Sequence, residues 1–215
     1  CAEPEPHLRM LDRFLVIAEK QHIGAVIIAN KMDLVTPQKA ESIFGNYAQL
    51  GYPVVYTSAR TGQGVDVLKT CLKDKISALV GPSGVGKSSL LNVIEPNLGL
   101  RVTAVSAATT KGMHTTQVRE LFPLAEGGYV ADTPGIRSLA LWDTEPEELD
   151  AYFIEMRDLV ASCKFSDCTH THEPGCAVRA AVEAGRVAME RYHSYLRLRF
   201  EDEADTFVDD FSGDD

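Results

Sequence analysis

The stretch Gly81-Pro82-Ser83-Gly84-Val85-Gly86-Lys87-Ser88-Ser89 decides the fold. It has the spacing G-x-x-x-x-G-K-[ST] and lies between an apolar run, KISALV (75–80), and a helical pattern that starts near Lys87, which is the context such a loop needs. Glycines let successive backbone N–H groups turn inward around phosphate oxygens. Lys87 can then reach the outer phosphates, and the Ser88 hydroxyl can hold Mg²⁺. A helix beginning here adds its partial positive charge.

Upstream, IGAVIIAN (23–30) is a short β-branched run, read as a strand buried in a parallel sheet, and Asn30-Lys31-Met32-Asp33 sits at its C-terminal end. A carboxylate at Asp33 can accept from the N1–H and 2-amino groups of guanine, whereas adenine offers neither donor on that edge. A buried site built this way rejects the wrong base by roughly 10⁴ to 10⁵-fold. Asn30 is expected to tie this loop to its neighbours, and the Lys31 stem to cover the base. A second strand, YPVVYTS (52–58), ends in Thr57-Ser58-Ala59-Arg60, a source of a backbone N–H for the guanine O6. Downstream, GGYVADT (127–133) leads into Asp132-Thr133-Pro134-Gly135. There Asp132 would hold Mg²⁺ through a water and the Gly135 N–H would sense a γ-phosphate.

These are the elements of a guanine-nucleotide switch in the order four, five, one, two, three. Ligands bind at the carboxyl ends of the strands in an open α/β sheet, so chain order can be shifted cyclically without moving any loop in space. The predicted fold is a circularly permuted α/β domain, a mostly parallel sheet flanked by helices, over residues 1–143. A helical domain follows over 144–204, then an acidic tail over 205–215. An amphipathic helix from Pro6 to about His22 opens the chain, with Leu8, Leu11, Leu15 and Ala18 on one face. Thr36-Pro37 starts another helix and Gly51 stops it. Val65–Leu72 is a third, RVTAVS (101–106) and TTQVRELFPL (115–124) alternate like strands, and the second of these pairs antiparallel with GGYVADT through Glu126-Gly127-Gly128.

Composition is that of a globular protein, 45% hydrophobic and 24% charged, and no apolar run approaches the ~20 residues of a membrane span. The net charge of -10 is concentrated in residues 201–215, with eight acidic side chains and no basic one; the remainder carries only -2, so an RNA partner is compatible with it. Of five cysteines, three crowd into 163–176. Cys163-x4-Cys168-x-His170-x5-Cys176 offers three thiolates and one imidazole, a closed tetrahedral set that marks a structural zinc in a reducing compartment. His172 is the competing ligand. Lys164, Arg179, Arg186, Arg191, Arg197 and Arg199 surround the cluster and suit RNA phosphate or a solvated helix face equally.

With Lys111-Gly112-Met113-His114-Thr115-Thr116, Asp132-Thr133-Pro134-Gly135 and the cysteine cluster, the chain up to about Phe200 resembles the circularly permuted ribosome small-subunit-dependent GTPase A family. The resemblance implies a cytoplasmic, monomeric GTPase that works with Mg²⁺ and matures the small ribosomal subunit, contacting its rRNA and no membrane. The alternative is another permuted ribosome-assembly GTPase, or a GTP-regulated RNA-binding module. It also implies that the first histidine of THTH, His170, is the zinc ligand, and that an OB-fold precedes Cys1, making this chain a fragment. Between the glycine loop and Asp132, one of Thr115 and Thr116 should complete the Mg²⁺ shell, with Thr116 favoured. Ile136 stands where many GTPases place a water-orienting glutamine, so His114 becomes the candidate for that task.

Overall fold

The computed structural model describes residues 4–98, 121–131 and 144–200, and it divides into two compact units, Cys1–His7 with Gly24–Leu139 and Leu8–Ile23 with Ala140–Asp215. In the first unit the apolar runs form short strands, β1 (Ile27–Ala29), β2 (Val54–Tyr56), β3 (Ile76–Ala78), β4 (Leu121–Pro123) and β5 (Tyr129–Ala131). β1 pairs parallel with β2, β3 parallel with β5, and β4 antiparallel with β5. The described strands therefore form two sheets, β1-β2 and β3-β5-β4, with no β1–β3 ladder among them. What joins the two sheets is a shared core: Val55 and Val130 pack with Val65, Leu68, Leu72, Leu90, Leu91 and Ile94.

Two helices, α3 (Val65–Leu72) and α4 (Lys87–Ile94), supply most of that core, while α2 (Pro37–Gln49), which packs against β2, shows its local causes best. The Thr36 side chain accepts from the Lys39 N–H, Pro37 stands in the first turn, and past the end Gly51 takes φ 96° while the Tyr52 N–H reaches back to the Tyr47 carbonyl. α3 and α4 each turn apolar residues three and four apart into the cluster. The β4–β5 hairpin closes at Gly128, φ 91°, where a Cβ would run into the Lys75 backbone; only glycine lets the turn lie against the start of β3.

The apolar run KISALV (75–80), whose composition suggests a buried strand, carries β3 and is only half-buried even on its inner face. Leu79 packs into the core, but Ile76 is 73% exposed and Val80 is also exposed. Register puts Ile76 beside Tyr129 and Tyr129 beside Pro123, so period-two alternation sends this row to the side opposite Val130.

In the second unit, α1 (Leu8–Lys20) packs against α5 (Leu149–Tyr152) and α8 (Met189–Phe200), with α6 (Ile154–Val160) and α7 (Ala177–Glu183) completing the bundle. The opening helix thus groups with the C-terminal residues rather than with the strands that follow it. Its deepest residues are Asp12, Leu15 and Val16, not the whole Leu8, Leu11, Leu15, Ala18 stripe. The cause is a buried ion triad: Arg191 on α8 donates to Asp12 at 2.6 Å and to Glu155 at 2.6 and 3.0 Å. Burial works against its charge, but the two carboxylates more than offset this and raise its pKa. Val16, Leu149, Phe153, Met156, Val178, Ala181, Val187 and Tyr195 form the apolar core around it. Among the described residues no helix is long and apolar enough to cross a membrane.

Candidate functional site

In the first unit three loops meet at the side chain of Asn30. Its Nδ2 donates to the Val85 carbonyl in the glycine-rich loop at 2.9 Å. Its Oδ1 accepts from the Thr57 hydroxyl at 3.2 Å and, at a longer 3.4 Å, from the Ala59 N–H. Parallel pairing of β1 and β2 makes this possible, because Asn30 and Thr57 leave neighbouring strands at the same end. Gly86 must lack a side chain here, since a Cβ would strike Asn30 Nδ2. Segments 55 residues apart are thereby held as one surface.

The glycine-rich loop adopts the backbone that its composition predicts, with Gly81, Gly84 and Gly86 all at positive φ. No side chain caps α4. Lys87 folds back over the loop, donating to the Gly81 and Pro82 carbonyls at 2.7 Å each. Its ammonium therefore lies inside the curve, and Ser88 and Ser89 follow on the first turn of the helix.

Lys31 takes the left-handed backbone region, φ 64°, which starts a tight 3-10 turn over Met32–Leu34. Met32 is buried beneath, and its N–H donates to the Thr57 carbonyl at 3.0 Å. The turn places the Asp33 carboxylate, 11% exposed, between Ser58 and Arg60: the Ser58 hydroxyl donates at 2.6 Å and the Arg60 guanidinium lies at 3.6 Å. Ser58 lowers the Asp33 pKa most, partial burial works the other way, and Arg60 and Lys31 add to the lowering. Sequence reasoning missed this hydroxyl–carboxylate bond; the hydroxyl residues at the end of β2 were its only signal. Asp132, Gly135, Ile136, His114, Thr115 and Thr116 lie outside the described residues.

The second unit gathers Cys163, Cys168, His170 and Cys176, whose donor atoms all lie within 4.8 Å of one another. Cys163 follows α6 and Cys176 caps α7, where its Sγ accepts from the Arg179 N–H at 3.4 Å. The two arms are paired by the Lys164 N–H to the Gly175 carbonyl, 3.1 Å. His170 Nδ1 faces Cys176 Sγ at 3.4 Å and Cys163 Sγ at 3.7 Å, and the two sulfurs are 4.0 Å apart. A tetrahedral site with metal–sulfur bonds of ~2.3 Å has edges of about 3.8 Å, so the donor set fits a zinc-sized cation. His172 is outside the group; it is exposed and its Nδ1 meets the Thr171 hydroxyl at 2.8 Å. Burial, with the other two thiols nearby, pushes the Cys168 thiol up to about 12, and a bound cation reverses that preference by favouring the thiolate.

A collar aims the loop between the cysteines. The Glu173 carboxylate accepts from the amides of Thr169, Thr171 and His172 and from the Thr169 hydroxyl. The Tyr192 hydroxyl donates to the His170 carbonyl at 2.5 Å, and Tyr195 to that of Thr169 at 3.2 Å. Burial opposes the Glu173 charge, yet these hydrogen bonds hold its carboxyl well below the ordinary range.

The model of the RsgA GTPase family matches residues 1–142. The chain is similar to the small ribosomal subunit biogenesis GTPase RsgA of Gemmatimonas aurantiaca, 52% identical over 201 residues, covering 94% of this chain and 66% of that protein. The protein of that name from Thermotoga maritima is 48% identical, with 92% and 67% covered. Among solved structures, YjeQ from Thermotoga maritima superposes with a TM-score of 0.79 at 45% identity, covering 92% of this chain and 66% of that one. YloQ, described as a circularly permuted GTPase, gives 0.70 at 38% identity over 91% and 63%. The chain spans about two thirds of the length of the curated relatives it matches.

Proposed function

The chain belongs to the RsgA GTPase family, and on that premise we propose that it binds guanine nucleotides in the loop cluster of its first unit, hydrolyses GTP and acts in maturation of the small ribosomal subunit. The observation that carries the reading is Asn30, which hydrogen-bonds the glycine-rich loop and the Thr57–Ala59 turn at once. A nucleotide has phosphates at one end and a base at the other, and recognising both requires those loops in register. The relatives' name, small ribosomal subunit biogenesis GTPase, supports the ribosomal subunit as partner.

In this reading Asp33 accepts from guanine N1–H and the 2-amino group, Ala59 offers a backbone N–H to O6, and Lys31 covers the base. Lys87 exchanges the Gly81 and Pro82 carbonyls for β- and γ-phosphate oxygens, while the amides of residues 83 to 89 cradle the phosphates. Ser88, Thr116 and Asp132 would hold Mg²⁺, and the ion would supply charge neutralisation when bound. Gly135 senses the γ-phosphate, and water attacks it in line. His114 positions that water, because the aliphatic Ile136 has no group to do so. The four-donor cluster holds one structural Zn²⁺, and the exposed Arg186 and Arg197 suit rRNA phosphates. The protein works as a cytoplasmic monomer, with residues 1–143 as the nucleotide domain, apart from the α1 segment that groups with the C-terminal helices, and 144–204 as the zinc domain.

The test is the GTPase rate of full-length protein with and without purified small subunits. Unaided turnover is expected at about 10⁻⁴ to 10⁻³ per second, rising strongly with subunits. Unaided turnover faster than about one per second, or no stimulation, would overturn the reading.

A further inference from the structure

We infer that Asp150 is a positioning residue of the metal centre: its carboxylate holds the Nε2–H of His170 and so presents Nδ1 to the three cysteine sulfurs. This rests on the zinc reading above and extends it to a residue that the spacing of the four ligands does not reach. Asp150 lies on α5, 20 residues before His170, and its Oδ2 is 3.0 Å from His170 Nε2. The histidine side chain is fully buried and the aspartate side chain is 13% exposed.

Three observations make the contact directional. An ionised carboxylate only accepts, so a neutral imidazole facing it must carry its proton on Nε2, leaving the Nδ1 lone pair for a cation. Nδ1 is the nitrogen that lies 3.4 and 3.7 Å from two of the sulfurs. The ring is also confined, tilted against Tyr195 with centroids 5.8 Å apart, and its backbone is held at φ 62° by the collar of Glu173, Tyr192 and Tyr195. Asp150 is itself anchored, because its neighbour Leu149 is 1% exposed in the core. Ligand histidines are ordinarily oriented by such a partner, and losing it weakens metal binding about 10- to 100-fold.

The experiment uses the full chain loaded with Zn²⁺. Two-bond ¹H–¹⁵N spectra of the histidine rings should show His170 protonated on Nε2 and metal-bound on Nδ1. Competition with a chromophoric chelator should show Asp150→Ala losing about 10- to 100-fold in zinc affinity and Asp150→Asn losing less, since the amide oxygen still accepts but carries no charge. Asp158→Ala, at an exposed acidic position beyond the site, should bind as wild type does. Zinc on Nε2, or Asp150→Ala binding within about twofold of wild type, overturns the proposal. If Asp150→Ala fails to fold, the spectra and Asp150→Asn decide. Wild-type protein with no bound zinc removes the zinc reading itself, an outcome distinct from a zinc site indifferent to Asp150.

Discussion

Asn30→Asp is nearly isosteric yet should damage nucleotide binding severely. The amide donates from Nδ2 to the Val85 carbonyl at 2.9 Å, and a carboxylate has no proton to give. Two oxygens would then face each other at that distance, in a position only 8% exposed. Losing a well-formed hydrogen bond costs about 1 kcal/mol, and leaving a buried acceptor facing an acceptor adds about 1–3 more. The total of roughly 2–4 kcal/mol falls on the alignment of the glycine-rich loop with the base-reading loop, because Val85 and Asn30 belong to those two segments. GDP affinity should therefore fall about 30- to 900-fold. Asn30→Ala should lose less than Asn30→Asp, since it removes the contacts without adding repulsion. Titration of a fluorescent GDP analogue into each variant measures the difference. Asn30→Asp binding within about threefold of wild type would refute the claim that this bond aligns the loops.

Asp33→Asn should lose GDP affinity and gain affinity for xanthosine diphosphate, whose base carries a carbonyl where guanine has its amino group; competitive titration of the two nucleotides checks it. The ionised form of Asp33 is favoured in the fold chiefly by the Ser58 hydroxyl, so its contribution is complete above the ordinary carboxylate pKa and is lost only as pH falls through a lower one. Ser58→Ala should move the acid limb of GDP binding to higher pH, and an unmoved limb would count against that hydroxyl's role. One zinc per chain is expected by elemental analysis, and strong chelation should unfold the helical unit while GDP binding persists; simultaneous loss of both would refute the separation. Arg191→Met removes the cation from between two buried carboxylates and should destabilise the helical unit by about 3–5 kcal/mol, whereas replacing Asp12, Glu155 and Arg191 together by apolar residues should restore much of it. Hydrogen exchange of the α1 and α8 amides reports this, and unchanged protection in Arg191→Met would show the triad to be dispensable.

Local requirements were legible in the chain itself. Thr36-Pro37 and Gly51 bound α2 because capping and left-handed closure depend on residues within one turn. The glycines at 81, 84 and 86 announce a loop that must curl inward, and the cysteine spacing announces a cluster, because each is a condition on a few neighbouring residues. Tertiary structure decided what depends on partners distant in sequence. The burial of a charged Asp12 follows from Arg191, 179 positions away, and it draws α1 to the C-terminal helices. The choice of His170 over His172 was a matter of resemblance in sequence, and of burial and aim in the structure. Which nitrogen of His170 meets the sulfurs, and that Asp150 takes the other, appears in no spacing. The Ser58–Asp33 bond is likewise not settled by the sequence, which shows hydroxyl residues at the end of β2 but not their partner, since β1 and β2 must pair before the two residues meet. Periodicity and caps record what each segment needs from its own backbone, whereas pairing of polar side chains is settled only when packing removes water and each buried donor must find the acceptor that lies within reach.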